Sequence, residues 1–476
     1  METVTERPLP EAGCGIRFGM LRNASLSVLC FVVLPVLAAL PGPKVAATPP
    51  MGWNSWDAYG LTIDEGDYRA NTAVLAGLKQ YGWEYSVIDE GWYMQDPFAD
   101  SVASRKYVWD ANGLLIPVVN RFPSAANGAG FKPLADWVHA QGLKFGIHIV
   151  RGIPRGVVDQ NLPIAATSFH AVDAADKESP CPWDEGNWGV KDNEAGQAYY
   201  DSMLKLYASW GLDYIKVDCI SDHPYRLSEI RQIAEAIRKT GRPILLSLSP
   251  GPTQLEHAAE VAKYAQMWRI SDDHWDVWSV PHKAGESEFP FGIRDAFERL
   301  AEWGEYAKPG SWPDEDMLPE GALTPHPGWG DPRQSRYTQD EQRTEFTLWA
   351  ISRSPLILGT NLTKLDDFTR SLITNRDVLE IDQHAIEAGQ GLMPLKDGNT
   401  DTFPQRYWYA RTRQHQYLAV FNLEDKASKS DLPWMVFHLE NKPHAAFDIW
   451  NQKHIPRAKA LRVELAPHGC ALFEVE

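Results

Sequence analysis

Between about residue 50 and residue 385, short apolar runs alternate with longer amphipathic stretches, and this alternation limits the fold more than any other feature of the chain. The runs Met51–Trp56, Tyr85–Trp92, Leu143–Val150, Tyr214–Asp218, Ile244–Ser249 and Met267–Ser271 have the length of strands. Weaker runs follow near Tyr306–Gly310 and Pro355–Gly359. Between them, stretches such as Ala195–Trp210 and Tyr225–Thr240 repeat apolar residues at three- and four-residue spacing, as one face of a helix requires. Such stretches end at Gly142, Gly211 and Gly241, where a left-handed cap is least strained. Eight strand–helix units over roughly 330 residues predict an α/β fold, a (β/α)₈ TIM barrel. A doubly wound open sheet is the competing arrangement, but no GxGxxG follows any early strand.

From about residue 388 the apolar period drops to two. Arg406–Thr412, Gln416–Asn422, Trp434–Leu439, Ala446–Trp450, Leu461–Leu465 and Cys470–Val475 read as strands separated by turn residues. The expected organisation is therefore a barrel over residues 48–387 and a small C-terminal antiparallel β domain over 388–476. Pro319–Arg336, rich in Pro and Gly, reads as a long barrel loop of the kind on which a substrate subsite is built.

The first 47 residues read differently. Arg17 and Arg22 precede the apolar run Ala24–Leu40, and Val45-Ala46-Ala47 offers a small-residue cleavage site. This is the pattern of a secretory signal peptide, with Met20 as an alternative start; it implies a secreted or periplasmic protein. A membrane span is the competing reading, but about 17 apolar residues interrupted by Pro35 are short for one. Beyond residue 47 only Cys181, Cys219 and Cys470 remain, which allows at most one disulfide. Cys181–Cys219 is the pair to test, and buried inert thiols are the alternative. No CxxC or HExxH metal pattern is present, so no metal is expected. The net charge of −17 argues against a nucleic-acid partner, which needs clustered Lys and Arg.

Barrel chemistry sits at the C-terminal ends of the strands, so polar residues that close apolar runs are the candidates. The second strand ends in Asp89-Glu90-Gly91-Trp92. In the fourth, alternation places Tyr214, Lys216 and Asp218 on one face and Ile215 and Val217 on the other. A lysine and an aspartate turned toward the barrel axis are either a structural ion pair or a nucleophilic carboxylate kept ionised by its lysine. In the sixth strand Arg269, Ser271 and Asp273 share one parity, which separates Asp273 from Asp272. Two carboxylates across a pocket are the equipment of glycosidic hydrolysis, with retention or inversion set by their separation. The seventh strand end, Asp314-Glu315-Asp316, adds acid that reads sugar hydroxyls or, alternatively, holds a divalent cation. Trp56, Trp92 and Trp183 are candidate stacking platforms for a sugar ring.

Taken together in order, these strand ends resemble family 27 of the glycoside hydrolases, the α-galactosidases and α-N-acetylgalactosaminidases. The resemblance is carried by Pro50-Met51-Gly52-Trp53-Asn54-Ser55-Trp56, Asp89-Glu90-Gly91-Trp92, Leu143–Ile147, Lys216-Val217-Asp218-Cys219, Trp268-Arg269 with Asp273, Pro313–Leu318 and Ser352–Leu356. It implies that Asp218 is the nucleophile and Asp273 the acid/base of a retaining exo-hydrolase releasing terminal α-linked galactose. It implies a carbohydrate substrate held by Trp56, Asp89, Glu90, Lys216, Arg269 and Asp314, hydrolysis without a cofactor, and a C-terminal β-sandwich; His148 and Ser249 join the candidate subsite as positions where this chain departs from the pattern. Three positions depart from the family pattern. Glu90 stands where common members have a second Asp, and His148 where an aromatic hydroxyl is usual. Ser249 lies in the segment where relatives carry a Trp and often a Glu that recognise the C2 substituent, and its small side chain leaves room for an N-acetyl group. Cys219 directly follows Asp218, one residue earlier than in relatives. The competing activities are an α-N-acetylgalactosaminidase and a β-L-arabinopyranosidase on the same scaffold. A non-catalytic glycan-binding barrel, and an aldolase using Lys216 as a Schiff-base amine, come from other classes.

Overall fold

A computed structural model describes residues 45–98, 105–283, 287–324, 330–392 and 405–476. The expected signal peptide lies, as far as residue 44, outside the described residues. Among the described residues no helix is long and apolar enough to cross a membrane.

Eight parallel strands form the first sheet: β1 (Met51–Asn54), β2 (Tyr85–Ile88), β3 (Lys144–Val150), β4 (Tyr214–Asp218), β5 (Leu245–Leu248), β6 (Met267–Arg269), β7 (Trp312–Asp314) and β8 (Leu356–Leu358). They are ordered 7-6-5-4-3-2-1-8, so consecutive strands are neighbours and the sheet curls round on itself. Closure between β7 and β8 is a single parallel bridge, Leu318 with Leu358. The reason is local. The Trp312 amide donates to Gln266 on the β6 side, which turns the position of Pro313 toward β8, and proline has no N–H to give.

Helices α1 (Glu65–Leu78), α2 (Lys132–Ala140), α3 (Glu194–Trp210), α4 (Leu227–Thr240), α5 (Ile293–Trp303) and α6 (Gln339–Ser352) cover the outside. Gly211 and Gly241 cap α3 and α4 with φ of 99° and 70°, as their positions predict. Ile215, Val217 and Trp268 face the helices, whereas Tyr85, Val87, Tyr214, Leu245, Met267 and Ile357 pack together inside the barrel. One step further along the same inward parity stand Asp89, Lys216 and Arg269. The floor of the barrel is apolar and the next layer is charged.

Two strand expectations fail here. The weak run Tyr306–Gly310 is a 3₁₀ turn followed by a Lys308–Ser311 reverse turn, with Gly310 at φ 83°; the strand begins only at Trp312. The first strand stops at Asn54, because Trp56 already opens a one-turn helix whose amide bonds to Asn54 Oδ1 at 2.8 Å.

The C-terminal domain contains β9 (Glu387–Gln390), β10 (Gln405–Arg411), β11 (Gln416–Asn422), β12 (Ser428–Pro433), β13 (His444–Asp448), β14 (Lys453–Ala458), β15 (Ala460–Leu465) and β16 (Cys470–Val475). A six-stranded antiparallel sheet, ordered 9-10-11-16-13-14, faces the ribbon β12–β15 across Leu418, Val420, Leu461, Val463 and Phe473. Its other face lies on the barrel, where Phe297 of α5 packs edge-on to Trp408 and Phe421 at 5.6 and 5.1 Å. Trp434–Phe437, expected as a strand, is a 3₁₀ turn: Trp434 and Phe437 are buried, Met435 is half exposed, and Pro433 sets the entry. A spacing of three rather than two decides that segment.

Candidate active site

A cavity of about 100 Å³ opens at the C-terminal ends of the strands, lined by Trp56, Asp57, Asp89, Glu90, His148, Trp183, Lys216, Asp218, Asp273, His274, Trp275, Asp316 and Met317. A wider cleft between α5 and the β domain is rimmed by salt-bridging charges and receives none of the strand-end carboxylates named above.

Asp218 closes β4. Its Oδ2 accepts from His148 Nε2 and Ser249 Oγ, both at 3.3 Å, and its Oδ1 accepts from Trp183 Nε1 at 3.2 Å. Burial opposes the charge, but the hydrogen bond and charge of His148, followed by Lys216, hold the carboxyl below the usual range. His148 is buried between two carboxylates, Asp218 at 3.3 Å and Asp89 at 3.9 Å. Burial works against its proton, yet the two acids raise its pKa above that of a free imidazole.

Lys216 reaches Asp89 rather than Asp218: Nζ to Asp89 Oδ2 is 3.0 Å, and Asn54 Nδ2 donates to the same oxygen at 2.6 Å. Burial would raise the Asp89 carboxyl, but His148 and Lys216 bring it down to about 2. Lys216 does help to keep Asp218 ionised, as read from the strand, but through charge alone; the direct partner of Asp218 is His148. With Lys216 gone, the buried Asp89 charge would lose its direct ion-pair partner and keep His148 at 3.9 Å and the Asn54 amide. Lys216→Met is therefore expected to destabilise the fold at pH 7 by about 3–5 kcal/mol. The deficit should shrink as the pH falls toward protonation of Asp89, which denaturant titrations at pH 7 and pH 4 would measure.

Arg269 is buried behind the opposite wall. Its Nη1 lies 2.8 Å from Asp316 Oδ1 and 3.4 Å from Asp273 Oδ1, and its Nη2 donates to the carbonyl of Asp272 at 2.6 Å. Asp273 turns into the cavity with 43% of its side chain exposed. Its carboxyl is pushed up to about 6 by desolvation and by the Asp316 and Asp218 charges, against the pull of Arg269. Asp272 points away and accepts from Ser287 and the Glu288 amide, as the parity argument requires.

Of the ten residues picked from sequence, Asp218, Asp273, Trp56, Asp89, Glu90, His148 and Lys216 line the cavity, and Ser249 and Arg269 support its wall from behind. Asp314 does not line it. It ends β7 in register with Arg269 and accepts the Asp316 amide at 3.0 Å, and Asp316, at φ 95°, is the acid that reaches the cavity. Trp92 is a core residue, packed against Tyr93, Phe131, Tyr207 and Trp210. Ser249 is buried and donates its hydroxyl to Asp218.

Sequence reasoning also missed Asp57. It is buried and lines the cavity, its Oδ2 has no hydrogen-bond partner among the described residues, and burial followed by the Asp316 charge drives its pKa well above normal. Only glycine fits opposite: a Cβ on Gly359 would stand 1.8 Å from that oxygen. Glu90 is held neutral too, up to about 8, by burial and then by the neighbouring Asp184, Asp218 and Asp89 against His148. Cys181 and Cys219 are bonded, with Cα atoms 5.9 Å apart, and Cys470 is free. Among the described residues no cluster of His, Cys, Asp and Glu has the arrangement of a metal site.

Residues 184–384 match the family model described as alpha galactosidase A, and residues 402–475 match that of the alpha galactosidase C-terminal beta sandwich domain. Among solved structures, the GH27 β-L-arabinopyranosidase of Geobacillus stearothermophilus is 42% identical, with a TM-score of 0.82 over 90% of this chain and 97% of that one. Alpha-galactosidase A of Cellvibrio japonicus is 28% identical over 448 residues, 91% of this chain and 93% of the relative. Alpha-galactosidase 2 of Arabidopsis thaliana is 25% identical over 90% of this chain and 89% of its own length.

Proposed function

The chain belongs to glycoside hydrolase family 27, and from that premise we propose that it is a retaining exo-glycosidase for terminal β-L-arabinopyranosides, with α-D-galactosides as the second substrate. The two glycones share ring configuration and differ only in the hydroxymethyl group at C6 of galactose.

Glu90 carries the choice. It lines the cavity where the family resemblance expects an aspartate that reads the C4 and C6 hydroxyls, and it is one methylene longer. No side chain among the described residues hydrogen-bonds its carboxyl, so the group is left for a ligand. A longer acid at that point takes up the space of a C6 hydroxymethyl and still reaches the C4 hydroxyl. The 42% identity to an arabinopyranosidase agrees with this. An N-acetyl group at C2 is the weaker reading: the solved structure from Bacillus halodurans described as an alpha-N-acetylgalactosaminidase is 36% identical, below the 42% of the arabinopyranosidase.

The reaction follows from the two unequal acids. Ionised Asp218 attacks the anomeric carbon while Asp273 gives its proton to the glycosidic oxygen. The C–O bond breaks and the aglycone leaves as an alcohol. Asp273, now a carboxylate, takes a proton from water, whose oxygen attacks the same carbon. The sugar departs with its configuration retained and Asp218 is regenerated. Rates on p-nitrophenyl β-L-arabinopyranoside, α-D-galactoside and α-N-acetylgalactosaminide, with the first-formed anomer followed by NMR, test the assignment. An inverted product, or turnover of the N-acetyl substrate alone, would overturn it.

Glu90→Asp restores the space. We expect the ratio of kcat/KM for galactoside over arabinopyranoside to rise about 10- to 100-fold, the scale of one methylene in a tight pocket. An unchanged ratio would remove Glu90 from the specificity argument.

Export belongs to the same proposal. The basic flank and apolar run before residue 47 support it, as does the Cys181–Cys219 bond, which persists in oxidising compartments. N-terminal sequencing of protein recovered outside the cytoplasm tests it.

A further inference from the structure

Trp183 is 44% exposed on the cavity rim, yet its indole N–H is committed to the carboxylate that closes β4. An exposed side chain rarely keeps one polar contact unless something fixes its backbone. Here the constraint is covalent. Cys181, two residues before Trp183, is bonded to Cys219, the residue immediately after Asp218, and both cysteines are buried against Val150. Pro182 stiffens the intervening step. On the other side of the indole, Asp184 accepts from Tyr107 at 3.2 Å and from the Gly186 amide at 2.8 Å. The Trp183–Asp218 contact therefore closes a small ring through the disulfide, anchored at both ends.

The donors around Asp218 are unequal. Oδ2 receives two hydrogen bonds, from buried His148 and Ser249, which occupy both of its lone pairs. Oδ1 receives one, from Trp183, and keeps a lone pair for an electrophile. The terminal torsion of an aspartate is broad and soft. Without a donor on Oδ1 the carboxylate would be located by one oxygen only.

We propose that Trp183 is the positioning residue for the nucleophile: bridged to Cys219 through Cys181, it fixes the rotation of the Asp218 carboxylate and so presents Oδ1 to the anomeric carbon. The inference rests on the reading of Asp218 as nucleophile.

That reading is tested first and separately. In Asp218→Gly, azide should restore glycosyl transfer and give the glycosyl azide of inverted configuration; no rescue would sink the assignment of Asp218 itself. With that established, Trp183→Phe keeps the aromatic ring and deletes only the N–H. Its kcat for 2,4-dinitrophenyl β-L-arabinopyranoside should fall about 10- to 100-fold, with KM within about threefold and an unchanged Tm. The acidic limb of kcat/KM should move to higher pH, because a hydrogen bond to the charged carboxylate has been removed. Cys181→Ser/Cys219→Ser should lower the same kcat, and adding Trp183→Phe to it should cause little further loss, since both act through one contact. Wild-type kcat with only a raised KM in Trp183→Phe would make Trp183 a binding platform and overturn the proposal. Fully additive losses would overturn the role of the bridge.

Discussion

Asp218→Gly is expected to lose at least about 10⁴-fold in kcat on β-L-arabinopyranosides, about 5.4 kcal/mol of barrier. The size follows from what the site invests in one group. Two buried donors and one rim donor converge on its oxygens, and the flanking His148 and Lys216 keep it charged where desolvation alone would neutralise it. In the double displacement proposed above, a carboxylate prepared in this way forms the covalent bond of the first step, and no neighbour is placed to substitute for it. Asp89 is held by Lys216 and Asn54, Asp273 stands across the cavity, and Glu90 keeps its proton. Residual activity within tenfold of wild type would leave the double-displacement reading without its nucleophile. Circular dichroism and Tm should stay near those of the parent, because Asp218 sits at the mouth of the barrel rather than in its apolar floor.

The parity argument that selected Asp218 also shows where sequence stops being informative. Within β4 alternation is enforced by the ladder, so Tyr214, Lys216 and Asp218 had to share a face; Asp273 was told from Asp272 by extending the β6 parity past Arg269, where no ladder enforces it. Past a strand end the rule has no force. Asp314, Glu315 and Asp316 offered three carboxylates, and the choice fell to a turn with Asp316 at φ 95° that no periodicity announces. The partner of Lys216 was hidden for another reason. Asp89 directly follows β2, one strand removed across β3, and only the curvature of the sheet brings the two together. Asp57 went unnoticed because it follows a tryptophan in a one-turn helix too short to show a pattern. In the C-terminal domain β11 and β16 were legible in full. The edge strands β9 and β14, together with β12, were missed, because exposed and charged residues fill the positions that alternation would make apolar.

Asp273→Ala is the variant whose loss should depend on the substrate. The carboxyl is raised to about 6, so it carries its proton over the range in which Asp218 has lost one. In the proposed mechanism protonated Asp273 expels the aglycone, and its fraction drops about tenfold per pH unit above that value. In the wild type kcat/KM should therefore be flat from the ordinary carboxylate range up to about pH 6 and decline beyond it. The acidic fall belongs to Asp218 and lies lower. Removing Asp273 should abolish the alkaline limb. With a saccharide leaving group, which needs the proton, kcat/KM should fall about 10³-fold; with 2,4-dinitrophenolate, which leaves unaided, it should fall far less. The second step then lacks its base, so the glycosyl-enzyme should accumulate and azide should accelerate its breakdown. The product is a glycosyl azide of retained configuration, opposite to that from Asp218→Gly. The opposite anomers assign the two acids independently of any structure. If both variants gave the same azide, or if the alkaline limb survived in Asp273→Ala, the proton donor would have to be sought elsewhere among the acids of the cavity. Asp316, tied to Arg269 at 2.8 Å, would be the first to test.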